Sequence, residues 1–336
     1  MNTVRLICAV ALHLSSTLVL ANAFAAELAL PRDGWASWQV PAVENAPDWC
    51  CYGDWNARDE RRRSCALDGK HNGYSSRDEE TTDFVRVYAR FADGKIERLR
   101  ALSATCPVQT NTAIQDLGTP AVDDSARWLT ALATRQNPDA NTQERLAHDS
   151  LAALAIHRGE VAHNALVSIA RRATLKDSRK QAVFWLARLR GREGAQIATS
   201  LMFNDADAWM REHAAFSVSQ SISLTADQDL IRLANTDANA NVRAHAWFSL
   251  AMTKSSAAEA AIEAALRKET DRNVREQAIF ALSQLPDERA PRALIKVAQD
   301  KSLAREERKR AVFWLAQSES TAAQRYLQEV LAAAED

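Results

Sequence analysis

The side chains able to form new covalent bonds cluster early in the chain. Cys50, Cys51, Cys65 and Cys106 are four of its five cysteines. In an oxidising compartment an even set of thiols reads as two disulfides. Adjacent cysteines bond to each other only under strain, which sets Cys50–Cys51 aside. Two connectivities remain open: Cys50–Cys65 with Cys51–Cys106, or Cys50–Cys106 with Cys51–Cys65. Zinc is the weaker reading. Its ligands usually come in C-x(2–4)-C pairs, no C-x-x-C occurs, and His71 is the only histidine between residues 26 and 140.

Other chemistries find no matching pattern. G-x-S-x-G, H-E-x-x-H, G-x-G-x-x-G and the P-loop are absent from the sequence. His213 and His245 recur at one spacing and suggest a metal or pH-sensing pair. The same position also carries Gln181, Gln277 and Arg310, and no carboxylate recurs with it, which favours two surface histidines. No catalytic residue, metal or cofactor is expected.

The elements that must position the cysteines lie behind an export signal. Arg5 is followed by the apolar stretch Leu6–Leu20 and by two small-x-small patterns, Ala21-Asn22-Ala23 and Ala23-Phe24-Ala25. This reads as a cleavable signal peptide over 1–25, since a membrane span needs about 20 apolar residues. The expected location is the periplasm or outside the cell, with no integral membrane segment after cleavage. Hydrophobic content of 47% and charged content of 25% are ordinary for a globular chain. A net charge of −1 gives no electrostatic footprint for nucleic acid.

Most of the chain is a repeat. Residues 179–187 read RKQAVFWLA and residues 308–316 read RKRAVFWLA. Between them lie REHAAFSVS (211–219), RAHAWFSLA (243–251) and REQAIFALS (275–283). The template R-x-x-A-x-F-x-[LV]-[AS] recurs at spacings of 32, 32, 32 and 33. A fixed period of that size marks a stacked array. Each period holds a second apolar helix: Ala195–Leu201, Asp229–Ala234, Ala260–Leu266, Pro291–Ala298 and Ala323–Leu331. Asp207, Asn239 and Asp271 stand where helix caps belong. Upstream, Leu146–Ile156 and Val161–Arg172 form an atypical terminal pair, with Ala147 at the arginine position and Ala152 at the phenylalanine position.

The stretch TDRNVREQAIFALSQLPDERAPRALIKVAQD (270–300) resembles HEAT repeats, of the short kind also found in phycobilisome lyase-type proteins. The resemblance covers roughly residues 125–336 and implies an α-solenoid of about six repeats, usually a protein-binding scaffold. It carries no activity with it. That family includes chromophore lyases and a metal hydroxylase that uses His-Glu pairs; here only the reversed Glu212-His213 occurs. The CC…C…C segment followed by VFWLA repeats also resembles a group of exported bacterial HEAT-repeat proteins.

Helical spacing sorts the repeat into faces. Ala182, Ala214, Ala246, Ala278 and Ala311 share a stripe with Leu186, Val218, Leu250, Leu282 and Leu315, and with Val183, Ala215, Trp247, Ile279 and Val312. This is the expected buried side, with a small residue that lets helices approach closely. Phe184, Phe216, Phe248, Phe280 and Phe313 fall on the far side among polar neighbours. They form a candidate partner-binding stripe; the competing reading is that each fills the groove between successive units. Arg179, Arg211, Arg243, Arg275 and Arg308 suit an inter-repeat ladder, with Asp237, Asp271 and Asp300 as nearby acids. Trp185 and Trp314 border the buried side.

Residues 26–110 differ in kind. Val85, Val87, Ala89 and Phe91 alternate, Asp93-Gly94 is a hairpin turn signal, and Ile96–Leu102 returns as a second strand. Trp35, Trp38, Trp49 and Trp55 can supply a small core. The run Arg58–Arg63 reads as a solvated loop, and 111–124, with Gly118 and Pro120, as a linker. The expected fold is therefore mostly α: a small disulfide-containing β-hairpin domain (26–110), the linker, and a HEAT-like solenoid (125–336). The expected function is a non-enzymatic scaffold for a protein partner of unspecified identity. The alternative is an envelope enzyme or small-ligand-binding protein with its site in the concave groove or at the junction of the amino-terminal domain with the solenoid.

Overall fold

The computed structural model describes residues 29–51, 64–69, 74–135, 140–286 and 288–335. The expected leader, Trp55, the run 58–63 and His71 lie outside them. The chain forms two compact units, Met1–Arg190 and Gly191–Asp336.

In the first unit the hairpin forms where Asp93-Gly94 directs it. Strands β5 (Phe84–Ala92) and β6 (Lys95–Ser103) pair antiparallel, and both turn residues have positive φ, 50° and 72°. A two-residue turn with that geometry matches the twist of the flanking strands. β1 (Gly34–Pro41) pairs antiparallel with β5, and β8 (Ile114–Asp116) pairs parallel with β1, giving the sheet order β6-β5-β1-β8. Two small pairs complete the β part: β2 (Pro47–Cys51) with β4 (Tyr74–Thr81), and β3 (Cys65–Ala66) with β7 (Val108–Gln109).

Strand alternation sends the two tryptophans of β1 to opposite faces. Trp35 joins Tyr88, Leu102, Leu67, Cys50, Cys65 and Cys106 in one buried cluster. The Cys50–Cys106 disulfide lies within it, with Cα atoms 5.4 Å apart. Cys65 is also disulfide-bonded, and the side chain of Cys51 lies outside the described ones. The Cys50–Cys106 bond is one of the two that the second connectivity requires. Trp38 sits on the other face, opposite Val87, edge-on to Trp128 at 5.3 Å.

The reading of 111–124 as a linker needs correction. Trp35–Ser37 pairs with Ile114–Asp116, Leu117 donates its N–H to the Ser37 carbonyl at 2.8 Å, and Gln39 donates to Gly118 at 2.9 Å. Ile114–Asp116 within it is an edge strand, which tolerates the neighbouring Gly and Pro because one side needs no ladder. Helix α1 starts at Val122 and runs to Thr134, three residues before the expected start at 125. α2 (Ala140–Ile156), α3 (Glu160–Arg172) and α4 (Lys176–Leu189) follow, and the boundary at 110 does not separate sheet from helices. Trp38 donates its indole N–H to Ser125 of α1 at 2.8 Å, and Arg100 of β6 pairs with Asp149 of α2 at 2.9 Å.

The second unit is a stack of helices. α5 (Gly191–Asn204), α7 (Ala226–Thr236), α9 (Ser256–Leu266), α11 (Arg289–Gln299) and α13 (Thr321–Glu335) are the second helices of their pairs. α6 (Ala208–Ser219), α8 (Ala240–Met252), α10 (Arg272–Ser283) and α12 (Arg305–Ala316) carry the arginine template and pack side by side in order. Asn239 and Asp271 cap α8 and α10 by accepting two backbone N–H groups each. Asp207 holds the same position before α6, where its side chain makes no cap bond. The predicted stripe is the core: Ala214, Ala246, Ala278, Ala311, Val218, Leu250, Leu282 and Leu315 are all buried. Val312 is only half-buried, on the last template helix. Among the described residues no helix is long and apolar enough to cross a membrane.

Candidate functional site

The arginines of the second unit are structural. Arg211 grips Asp237 with a two-pronged fork, 2.8 and 3.0 Å, while its third nitrogen donates to the Asp205 carbonyl at 2.9 Å. Arg243 repeats this on Glu269 at 2.9 and 3.1 Å, and on the Asp237 carbonyl at 3.0 Å. Arg275 bonds to Glu307 and to the Glu269 carbonyl, the latter at 2.7 Å. Residues 237 and 269 thus give a carboxylate to one arginine and a carbonyl to the next. Planar guanidinium groups suit such forked, inter-unit bonding. Burial alone would raise the Asp237 carboxyl, but bonds from Arg211 and the Asn239 N–H hold it below its ordinary value. Arg243 holds Glu269 low in the same way, against the opposing pull of burial.

Of the three acids expected in the ladder, only Asp237 belongs to it. Asp271 is committed to the start of α10, and Asp300 pairs with Arg267 at 3.2 Å. The ladder position lies two residues before the cap, where Glu269 stands. The terminal arginines differ again: Arg179 donates to the Ala170 carbonyl at 2.9 Å, and Arg308 to that of Leu303.

The phenylalanines of α6, α8 and α10 are half-buried, and Phe313 of α12 is 49% exposed. Phe248 and Phe280 stack in parallel between successive units, centroids 5.8 Å apart. They remain half-buried, and both rings line an open groove of about 300 Å³. Phe280 next meets Trp314, at 4.9 Å, instead of Phe313. Trp314 takes the place in the row, which leaves Phe313 outside it.

The groove lies between α8 and α10, lined by Asn241, Ala244, His245, Asn273, Gln277 and the two phenyl rings. Its location follows from one residue. The position after the template arginine is Lys180, Glu212, Glu276 or Lys309 in the other copies and Ala244 here. A long charged chain is missing at that point, and the phenyl floor is open. Reading faces by residue type alone passes over this, because alanine looks unremarkable in a helix. The usable signal is the departure from the repeat's own pattern. Of the two histidines at one repeat position, His245 has its Nε2 3.8 Å from Glu212, and His213 lies against Phe216 with centroids 6.4 Å apart.

The first unit carries its own aromatic contact. Trp185, in the first copy of the template, packs on Trp49 of β2 at 5.2 Å, and Phe184 meets Trp185 at 5.0 Å.

This geometry defines a helical-repeat array with an aromatic, amide-lined groove. Residues 228–316, which contain the groove and the ladder arginines Arg243 and Arg275, match the HEAT repeats family. No curated protein matches the chain.

Proposed function

We propose that this chain is an exported, non-enzymatic interaction protein, acting in the periplasm or outside the cell. Its HEAT repeats hold a protein partner on the surface around Phe216, Phe248 and Phe280. The observation that carries this reading is the groove between α8 and α10, where aromatic edges and amide side chains meet at an open surface. Aromatic anchors flanked by neutral polar groups are the usual makings of a protein contact. The ladder supports it from beneath, because forked ion pairs keep the units in register and the groove in shape.

The test is capture in place. The mature protein is tagged at Asp336 and crosslinked in the cell envelope beside a Phe248→Ser/Phe280→Ser variant whose helicity has been checked. The expected result is one specific protein held by the unaltered chain and lost from the variant. A partner held equally by both, or none at all, overturns the reading.

A further inference from the structure

The groove at Ala244 has a chemistry that selects its occupant. Its lining holds three carboxamides, one imidazole and two phenyl edges, and no Asp, Glu, Lys or Arg. Two carboxylates flank the lining without entering it: Glu276 lies between Arg272 and Arg310 at 2.9 and 3.0 Å, and Glu212 lies 3.8 Å from His245 Nε2. Asn241, Asn273 and Gln277 are exposed, and among the described residues their side chains bond to nothing else in the protein. A carboxamide offers donors and an acceptor together, which is the complement of a peptide group. Asn241 and Asn273 are equivalent positions in successive units, and adjacent packed helices lie about 8–10 Å apart. An extended chain covers that distance in about three residues at roughly 3.3 Å each. A volume of 300 Å³ is at the small end for a binding site, enough for one large side chain and the backbone beside it.

Resting on the scaffold reading above, we propose that this groove binds a short, extended, uncharged peptide segment of the partner. One large apolar side chain sits on the edges of Phe248 and Phe280. Asn241, Asn273 and Gln277 hydrogen-bond the peptide groups on either side. A sugar ring would use the same amides, but it needs a flat aromatic face as a platform. Phe248 and Phe280 turn one face each toward the other, and Phe280 has Trp314 as a second neighbour, so no broad platform of the kind Trp or Tyr gives lines the groove.

Ala244→Glu is the decisive variant. It restores the residue type that α6 and α10 carry at the same place, Glu212 and Glu276, and it fills the groove at a position outside the alanine and leucine stripe, although Ala244 is itself only 4% exposed. A phage-displayed library of short random peptides is panned against the full mature chain. We expect enrichment of uncharged sequences with a central large apolar residue. Their binding weakens at least about tenfold with Ala244→Glu, a loss that removing one anchor contact accounts for. Should Ala244→Glu melt early, Gln277→Leu, at an exposed site, is expected to give a similar loss. Phe313→Ser, outside the groove, is expected to leave binding unchanged. Enriched peptides that are charged, that ignore both groove variants, or that fail to appear overturn the proposal. So does binding of N-acetylglucosamine oligomers that Ala244→Glu abolishes. Failure here with a protein still captured in the envelope removes the peptide groove alone; failure of capture removes the scaffold reading beneath it.

Discussion

Two copies of one nonapeptide, RKQAVFWLA and RKRAVFWLA, sit in the two units of this chain and meet different surroundings. Both are helices with the same alanine and leucine buried. In the second copy, Trp314 packs on Phe280 of the preceding unit. In the first, the preceding unit offers only Ala152 at that position. Trp49, from strand β2, supplies the missing ring to Trp185. Trp185 is 9% exposed, while Trp314 remains half-buried and Phe313 open. The difference teaches that the sheet caps the helices of its own unit: it contributes the aromatic that the first copy of the template lacks. Local sequence sets helix and stripe, and the neighbour sets what becomes of the outward rings.

The comparison breaks most readily at its tryptophans. Trp185→Ala is expected to destabilise the first unit by about 4 kcal/mol, within the range for removing a buried tryptophan. Trp314→Ala, half-buried, is expected to cost about 2 kcal/mol in the second. Urea unfolding followed by far-UV circular dichroism measures both. A Trp49/Trp185 double-mutant cycle sharpens the point, with an expected coupling of about 1 kcal/mol. Equal costs at positions 185 and 314, or no coupling to Trp49, would end the account of the sheet as a cap.

Acid separates the units by another route. His157 is fully buried, donates from Nδ1 to the Ala153 carbonyl at 2.6 Å, and accepts at Nε2 from Ser125 at 2.9 Å. Ser125 in turn accepts from Trp38. Burial, aided by nearby Arg190 and opposed by the Ala153 bond, pushes the imidazole down to about 4 from 6.5. The unfolded chain therefore takes up a proton that the folded one refuses. Stability is intact above pH 6.5 and is lost as pH falls from there to about 4, by roughly 3 kcal/mol. In the second unit the lowered carboxylates Asp237 and Glu269 lose their contribution only as pH falls through and below the ordinary carboxylate range. Hydrogen exchange at pH 7 and pH 5 is expected to show protection falling in α1–α3 and holding in α6–α10. His157→Gln is expected to flatten that response. A uniform loss across both units would contradict it.

How far the sequence could be read follows the same division. In the array, a period of 32 residues exposes the stripe, the caps and the arginine row, because each position is repeated and its meaning averaged. What escapes is whatever departs from the average. Glu269 and Glu307 replace the acids that proximity suggests, since a ladder depends on where the loop places a carboxylate. Ala244 makes the groove by being small. In the first unit nothing repeats, and only local signals speak. The hairpin announced itself through Asp93-Gly94. The strand Ile114–Asp116 did not, because three residues at a sheet edge have no pattern of their own and owe their conformation to Trp35–Ser37. The partnership of Trp49 with Trp185 spans 136 positions and was invisible for the same reason.

The smallest expected effect tests the template arginine itself. Arg243 and Arg308 occupy the same place in their copies, yet Arg243 has a forked carboxylate and a carbonyl, while Arg308 has the Leu303 carbonyl. Arg243→Ala leaves Glu269 largely buried with one charge unmatched, which costs more than the bonds alone. A loss of about 2 kcal/mol is expected there, against about 1 kcal/mol or less for Arg308→Ala. Arg243→Lys restores the charge without the fork and is expected to recover under half of the loss. Pairing Arg243→Ala with Glu269→Gln is expected to cost less than the two separate losses combined, because the second change removes the stranded charge. Additive losses would mean that the ladder is a row of surface contacts. The register of the units would then rest on the alanine and leucine stripe alone.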